Sequence, residues 1–313
     1  MPRLAPSSGS RRGAGDPSSR GGSGSSATSG VAAALRGLGV RPSRRLGQNF
    51  LSDPRVSKRI AALVEDPAEP VLEIGPGLGA LTLLLAPTGR QLVAVEIDFR
   101  LAEALERKLE PYPGARVVRG DILDQRIEAL FSAGARTAVT VVGNLPYSIT
   151  TPTIEWLIRQ GEFVRRGFFM VQREYAVRLT ASPGGKDYGS ISVFVGLHAE
   201  VASLFRVSPG AFHPRPEVDS MVLELTPRPY PGTTGEDRRL AERLARAGMG
   251  TRRKTVANSL ARGMEIGSAA AREILERANI DPERRAETLS IDEWVRLARG
   301  FPGQVVRTEA EDS

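Results

Sequence analysis

Short apolar runs and amphipathic stretches follow one another along the central part of the chain. The apolar runs, each bounded by turn residues, predict strands at residues 71–74, 92–97, 116–118, 138–142 and 168–171. The stretches between them predict helices at residues 80–86, 100–109 and 153–160. One more helix is expected after residue 53, because Ser52 or Asp53 can cap it and Pro54 suits its first turn. This alternation predicts a mostly parallel sheet with helices on both faces.

The pattern changes beyond residue 188. Strand-like runs at residues 191–197, 201–207 and 221–225 predict the closing, partly antiparallel edge of the sheet. Three prolines at 227, 229 and 231 then break the pattern, and residues 237–300 show the apolar spacing of helices. We therefore expect a first domain over residues 37–226 and a small helical second domain over residues 227–303.

The two ends of the chain differ from the middle. Residues 1–36 are rich in Ser, Gly and Arg and contain Asp16 as their only acid, so we expect them to be disordered. This composition also suits a transit peptide, although the many glycines argue against one, and a basic arm that contacts RNA is a further alternative. Residues 304–313 are expected to form a tail.

Composition narrows the function classes. The chain has 43 basic and 36 acidic residues, a net charge of +7 that favours an anionic partner such as nucleic acid. It has no cysteine, which excludes disulfides, thiolate metal sites and methylation of pyrimidine carbon through a cysteine nucleophile. Its two histidines, His198 and His213, are too few for a histidine-based metal site, so no metal is expected. No apolar run is long enough to span a bilayer, so no membrane partner is expected either.

A glycine-rich motif, E-I-G-P-G-L-G at residues 73–79, lies between a predicted strand and a predicted helix. Glycines at such a place let the backbone approach a ligand closely, below a helix N-terminus. The spacing is G-x-G-x-G, whereas dinucleotide-binding loops have G-x-G-x-x-G. A nicotinamide dehydrogenase is therefore disfavoured.

Acidic residues lie at the carboxyl ends of the next two strands. Glu96 lies 21 positions after Gly75, where a carboxylate can bind both hydroxyls of a ribose. Asp121 follows the third strand, where it can accept a hydrogen bond from an adenine amine. The glycine loop has no basic residue for a diphosphate, so a nucleoside such as S-adenosylmethionine is the expected ligand. The alternative is that these acids only cap helices.

The stretch Val142–Tyr147 follows a β-branched run and has unusual polar geometry. Pro146 pushes Leu145 towards an extended conformation, which leaves the Leu145 carbonyl without a helical partner. The Asn144 side chain offers a second acceptor, and Tyr147 offers a flat ring. Two acceptors and a ring suit a planar heterocycle with an exocyclic amine, although an ordinary strand-to-helix turn is the alternative.

Taken together, these motifs resemble the ribosomal RNA adenine dimethyltransferase family. The matching segments are L-G-Q-N-F-L at 46–51, E-I-G-P-G-L-G at 73–79, N-L-P-Y at 144–147, F-H-P-R-P-E-V-D-S at 212–220 and R-R-K-T-V-A-N-S-L at 252–260. The resemblance covers about residues 43–300. It implies a class I S-adenosylmethionine-dependent methyltransferase domain with a Rossmann-like, seven-stranded, mostly parallel sheet, and an all-helical C-terminal domain.

The resemblance also implies roles for single residues. The cofactor contacts carried over are Gln48, Asn49, Leu51, Gly75, Gly77, Glu96, Asp121 and Asn144. The target adenine would be held by Asn144, Leu145 and Pro146 and stacked between Tyr147 and Phe212. Two basic clusters are candidates for RNA contact, with a solvated helix face as the alternative for each: Arg44 and Arg45, and Arg252, Arg253 and Lys254.

Two branches of the family are to be separated. One dimethylates two neighbouring adenosines near the 3′ end of small-subunit rRNA during ribosome assembly; the other modifies large-subunit rRNA and gives macrolide resistance. Resistance enzymes tend to carry N-I-P-Y, so Leu145 favours the small-subunit branch. A non-catalytic assembly factor would be expected to have lost these motifs, which are intact here. We expect a cytoplasmic monomer that acts on small-subunit rRNA in the assembling 30S-type subunit.

Overall fold

The computed structural model describes residues 23–43, 46–131, 138–146, 148–251 and 253–302. A seven-stranded sheet forms the centre of the first domain. Its strands are β2 (Val71–Ile74), β3 (Leu92–Glu96), β4 (Ala115–Arg119), β5 (Val139–Asn144), β6 (Val164–Gln172), β7 (Ala199–Val207) and β9 (Ser220–Pro227). Two short strands, β1 (Phe50–Leu51) and β8 (Phe212–His213), pair antiparallel beside it.

The strand order is β4-β3-β2-β5-β6-β9-β7. Neighbouring strands from β4 to β6 are parallel, whereas β9 runs antiparallel to both β6 and β7. The predicted class I methyltransferase sheet, mostly parallel with an antiparallel edge, is therefore confirmed. The chain builds outwards from β2 in one direction and from β5 in the other. The carboxyl ends of β2 and β5 thus open a crevice at the point where ligands bind in such sheets.

The central strands consist of apolar and β-branched residues because both faces of the sheet are covered. Alternate residues contribute to opposite cores. Leu72 and Val93 point into a cluster with the α6 region, and Val71 and Leu92 into a second cluster on the other face.

Twelve helices surround and extend the sheet in the part of the chain that the structure describes. In the first domain they are α1 (Ser23–Gly37), α2 (Pro54–Ala61), α3 (Thr82–Leu85), α4 (Phe99–Leu109), α5 (Ile127–Leu130), α6 (Thr150–Arg159), α7 (Arg173–Leu179) and α8 (Ser190–His198). Asp53, one of the two predicted caps, accepts a hydrogen bond from the Arg55 N–H, and Pro54 lies at the first position of α2. None of the described helices is long and apolar enough to cross a membrane.

The predicted strand at residues 191–197 is wrong, because this segment forms helix α8. Its six buried side chains lie on all sides of the helix: Ile191, Ser192, Val193, Phe194, Val195 and Leu197. A helix that is apolar all round has no polar stripe, and its β-branched residues imitate a buried strand. Periodicity therefore could not separate the two.

The prediction of disorder is also wrong for residues 23–36, which belong to α1. The apolar run at residues 31–35 was hidden by its Ser- and Gly-rich surroundings. Leu35 and Val40 are buried and pack against Phe50 and Leu101 of the first domain. Residues 1–22 and the predicted tail at 304–313 lie outside the described residues.

Four helices form the second core: α9 (Gly235–Met249), α10 (Val256–Gly263), α11 (Ser268–Arg277) and α12 (Ile291–Gly300). They pack around the fully buried Trp294. Helices α9 and α12 both begin with a capping box, in which Thr234 and Ser290 exchange hydrogen bonds with the acids three residues later. Val193 and Leu197 of α8 belong to this core, so the two domains share α8.

Candidate functional site

A cavity of about 310 Å³ opens at the carboxyl ends of strands β2 to β5. All eight residues predicted to contact a cofactor line it: Gln48, Asn49, Leu51, Gly75, Gly77, Glu96, Asp121 and Asn144. Leu145 and Pro146 line it as well. Tyr147 lies outside the described residues. Parallel strands end at the same edge of the sheet, which brings together side chains that are far apart in the sequence.

The glycine loop approaches the cavity with its bare backbone. Gly75 and Gly77 have φ of +64° and +57°, a region that favours glycine. A Cβ at Gly77 would lie 3.1 Å from Cδ1 of Phe50 in β1, whereas a Cβ at Gly75 would meet nothing within 4 Å. The loop therefore packs against β1 at one glycine and leaves room for a ligand at the other.

Glu96 is held in place by backbone donors. Its Oε2 accepts the Gly77 N–H and its Oε1 accepts the Asp98 N–H, each at 2.9 Å. Burial raises the pKa of this carboxyl, and the two N–H donors offset part of the rise. Each oxygen keeps a lone pair for a further donor, such as a ribose hydroxyl.

Asp121 caps a short helix at the edge of the cavity. Its Oδ1 accepts the Leu123 N–H at 2.9 Å and so caps the short 3₁₀ helix Ile122–Asp124. Asp121 also lines the cavity. A capping carboxylate uses one oxygen, which leaves the other to accept from a ligand amine.

Two further residues of the cavity wall were not among the predicted cofactor contacts. Glu73 is 2% exposed, and its Oε2 has no hydrogen-bond partner among the described residues. The pKa of Glu73 is raised to about 7, mainly by burial and partly by the Glu96 carboxylate, against the opposing effect of Thr82. Ile97, which directly follows Glu96, is 51% exposed, although large apolar side chains are usually covered. The sequence contained a signal for each of them. Glu73 is the first residue of the glycine-rich motif, and Ile97 directly follows Glu96, the acid predicted to bind the ribose.

The polar geometry predicted around Asn144 is present. Asn144 Nδ2 donates to the Asn49 carbonyl at 2.7 Å, which leaves Oδ1 of the amide as an acceptor. The Leu145 N–H donates to the Met170 carbonyl at 3.1 Å, and the Leu145 side chain is buried in the core. No donor among the described residues reaches the Leu145 carbonyl. Asn144 and Leu145 thus offer two neighbouring acceptors beside the cavity.

Phe212 does not present an open ring in this conformation, so the predicted stacking position is not observed. The pairing of β8 with β1 sets Phe212 opposite Leu51. The ring is 2% exposed and belongs to a core cluster with Leu51, Val207 and Ala211. The pairing of β8 with β1 directs the Phe212 side chain into the core. The proline-rich sequence around Phe212 did not indicate this burial.

The basic residues of the second domain lie at its surface. Arg253 and Lys254 are exposed in the turn between α9 and α10 and form no ion pair with any described residue. Arg44, Arg45 and Arg252 lie outside the described residues. In the described ranges, no three His, Cys, Asp or Glu side chains come together in a way that could hold a metal ion.

Residues 40–299 match the family described as "Ribosomal RNA adenine dimethylase". The chain belongs to this family. A relative named "Ribosomal RNA small subunit methyltransferase A" from Geobacter sulfurreducens is 42% identical over 269 residues, which is 85% of this chain and 98% of that protein. A protein of the same name from Desulfitobacterium hafniense is 42% identical over 257 residues, 82% of this chain and 91% of that protein. The expected enzyme family is thereby confirmed.

Two solved structures have a fold similar to that of this chain. The 23S rRNA methyltransferase ErmE is similar with a TM-score of 0.59 and 28% identity, over 80% of this chain and 99% of that one. A dimethyladenosine transferase from Plasmodium falciparum has a TM-score of 0.65 over 79% of this chain and 95% of that one. Its identity is 23%, so it supports the fold alone.

Proposed function

We propose that this chain transfers methyl groups from S-adenosylmethionine to N6 of two adjacent adenosines near the 3′ end of small-subunit rRNA. The observation that carries the proposal is the pair of acceptors at Asn144 and Leu145, beside a cavity whose acids suit a nucleoside. The names of the relatives at 42% identity agree with it. We propose further that it works in the cytoplasm, as a monomer, on the assembling small subunit.

The cavity fits the donor through specific groups. Glu96 would accept from the ribose hydroxyls, Asp121 would accept from the adenine amine, and Ile97 would pack on the adenine ring. Glu73 has a buried oxygen without a partner, which suits the α-ammonium group of the donor. The glycine loop offers no cation for a phosphate, and S-adenosylmethionine has none. When bound, the donor supplies an electrophilic methyl group on its sulfonium.

Asn144 and Leu145 activate the acceptor nitrogen by orienting it. The N6 lone pair of adenine is delocalised into the ring, which makes the amine a poor nucleophile. Acceptors at Asn144 Oδ1 and the Leu145 carbonyl bind its two hydrogens and favour a pyramidal nitrogen, an interaction that strengthens in the transition state. The lone pair then points at the donor site, and the surplus proton leaves to water.

The target base has to leave its helix or be unpaired already, because a stacked adenine cannot reach the cavity. Stacking on Tyr147 would contribute about 1–3 kcal/mol. Phe212 can join as a second ring only after a movement that uncovers it. After the first methyl transfer one N6 hydrogen remains, so the amine has to rotate before the second transfer.

The Asn144→Ala variant tests the catalytic proposal. We expect methyl incorporation into small-subunit rRNA to fall by about 100-fold or more, because one of two acceptors is lost. Donor affinity measured by calorimetry should change much less. Gln91→Ala, an exposed amide at the opposite edge of the sheet, is the matched control and should keep full activity. Full turnover by Asn144→Ala on normal rRNA would remove Asn144 from the mechanism.

Primer extension on both rRNAs from a strain that lacks this protein tests the substrate. The expected result is the loss of a stop at adjacent adenosines near the 3′ end of small-subunit rRNA. Complementation with the intact gene should restore the stop, and Asn144→Ala should not. A loss confined to large-subunit rRNA would overturn the assignment in favour of the other branch of the family.

A further inference from the structure

Charged side chains of helices α6 and α9 meet a histidine of α8 where the two domains join. Arg159 of α6 and Arg246 of α9 each lie 3.2 Å from Oε1 of Glu242 on α9. Arg246 also lies 3.5 Å from Oε1 of Glu155, one turn before Arg159 on α6. His198, the last residue of α8, brings its Nε2 within 3.9 Å of Oε2 of Glu242. We call these five residues the interdomain cluster.

Glu242 is the centre of the interdomain cluster and its least exposed acid. Its side chain is 11% exposed, against 56% and 61% for its two arginine partners. The Glu242 carboxylate is largely removed from water and depends on its partners, whereas the two exposed guanidinium groups are screened by solvent. Helices α6 and α9 are joined by two ion pairs. One connects Arg159 with Glu242, and the other connects Glu155 with Arg246. Two contacts one turn apart resist rotation better than one.

His198 lies beside Glu242 but does not compete with the arginines for its carboxylate, because the ring is uncharged. Burial and, to a smaller extent, the charges of the nearby Arg238 and Arg159 lower the pKa of His198 to about 4. The ring is therefore neutral at physiological pH, and it packs against Phe194 with 5.1 Å between the ring centroids. It fills space between the helices and adds no second cation beside Glu242.

Helix α8 contributes side chains to the cores of both domains. Ile191, Phe194 and Val195 of α8 belong to the core of the first domain, and Val193 and Leu197 belong to the core of the second. Apolar packing on one common helix is non-directional and does not by itself select one rotation about that helix. The Tyr188 hydroxyl donates to the Leu289 carbonyl and the Gly184 N–H to the Glu287 carbonyl, so hydrogen bonds between the domains also restrict this rotation. Ion pairs and hydrogen bonds between α6 and α9 have preferred geometry and can select it.

Helices α6 and α9, which the ion pairs connect, adjoin the cavity wall and the basic turn respectively. Helix α6 begins at Thr150, four residues after Pro146 of the cavity wall, and Thr150 Oγ1 donates to the Pro146 carbonyl at 3.0 Å. Helix α9 ends at Met249, just before the exposed Arg253 and Lys254. The end of α9 is about 10 Å along the axis from Glu242. A rotation of about 10° at the cluster would thus move the basic turn by roughly 2 Å, enough to break a hydrogen bond to phosphate.

We propose that Glu242 is a positioning residue that fixes the angle between the two domains and so aligns the basic turn at Arg253 and Lys254 with the cavity. The part of this proposal that concerns rRNA rests on the proposed function. The part that concerns the angle does not, and the two are measured separately.

The angle is measured by double electron–electron resonance on the full chain. The chain has no cysteine, so Glu110→Cys and Glu273→Cys place one spin label on an exposed site of each domain. We expect Glu242→Gln to broaden the distance distribution and Glu236→Gln, an exposed acid on the same helix, to leave it narrow. Arg159→Gln should broaden it too, and the double variant should add little to either single one. A narrow distribution in Glu242→Gln and in Arg159→Gln would overturn the proposal.

The consequence for rRNA is measured by steady-state methyl transfer to small subunits. We expect Glu242→Gln to raise the KM for the subunit by about five- to tenfold, with donor affinity unchanged within about twofold. Glu236→Gln should match the parent chain. A merely structural loss would lower donor affinity and the amount of active protein together. If the distances broaden and the KM stays constant, the alignment of the basic turn is refuted, whereas inactivity of the parent chain itself would refute the proposed function.

Discussion

At the scale of single residues, the surroundings of two neighbouring acids separate their roles. Glu96 and Glu73 are both buried at the ends of adjacent strands. Glu96 accepts two backbone N–H groups, which stabilise its charged form, whereas Glu73 keeps an oxygen without a partner in the described structure. The first acid is prepared to accept from neutral hydroxyls, and the second to meet a cation.

Glu73 should make the stability of the free protein depend on pH. Its pKa is raised from 4.5 to about 7 by burial, so the folded state binds its proton more tightly than the unfolded state. The stability linked to that proton is present below pH 4.5 and is lost as the pH rises to about 7. Without ligand, Glu73→Gln should therefore be more stable than the parent chain at pH 8, by about 2–3 kcal/mol.

Urea denaturation at pH 4.5 and pH 8 checks this expectation, with Glu110→Gln, an exposed acid, as the control. The same Glu73→Gln variant should bind S-adenosylmethionine more weakly, because it has lost the charge that faces the α-ammonium group. Equal unfolding free energies of variant and parent at pH 8 would contradict the raised pKa. Unchanged donor affinity would separate Glu73 from the ammonium group.

At the scale of elements, helix α1 packs against side chains that form the wall of the cavity. It packs through Leu35 against Phe50 and Leu101, both of which line the cavity. Just after the helix, the Gly39 carbonyl accepts a hydrogen bond from Arg100 at 2.6 Å. Phe50 in turn is the ring against which the glycine loop packs. An element expected to be disordered therefore contributes to the rigidity of the ligand site.

Truncation separates α1 from the residues before it. A chain that starts at residue 41 should lose about 3 kcal/mol of stability, because Leu35 and Val40 no longer cover Phe50 and Leu101. Its affinity for S-adenosylmethionine should fall by about tenfold, since part of the binding energy must then order the site. A chain that starts at residue 23 keeps the helix and should equal the full chain. Calorimetric titration of both truncations with the donor measures the difference, and equal affinities would show that α1 does not support the site.

At the scale of the whole molecule, the net charge of +7 becomes useful only where basic residues are free to meet phosphate. Many arginines of the described ranges are engaged in ion pairs on the surface, such as Arg272 with Glu283. Arg253 and Lys254 are exposed without such a partner in the described structure. The net charge favours a polyanionic partner, and Arg253 and Lys254 are candidates for meeting it.

The salt dependence of rRNA binding tests this face. Replacing Arg253 and Lys254 together by Gln should weaken binding and reduce the slope of log K against log salt by about one to two units, because fewer counterions are released. Arg272→Gln removes a cation that is already paired and should leave the slope unchanged within error. Filter binding between 50 and 300 mM salt, about the range in which such slopes are measured, is sufficient. An identical slope for the double variant and the parent would exclude the turn as a phosphate contact.

The parallel sheet and its ligand edge were predictable because both depend on local signals. Strands buried on two faces are continuous apolar runs, and the residues after them, Glu96, Asp121 and Asn144, reach one cavity through the topology of a parallel sheet. Helix α8 was not predictable in the same way. Its environment is apolar on every side, so only its packing between two domains could decide between helix and strand.

The sequence by itself determined the family, the sheet and the identity of the polar groups, because motifs and periodicity are local in the chain. Tertiary structure decided which groups are accessible. Pairing of β8 with β1 buried Phe212, packing of α1 ordered a segment expected to be disordered, and the approach of α6 to α9 assembled the interdomain cluster around Glu242. Each of these depends on residues more than 60 positions apart meeting in space, and no local pattern records such a contact.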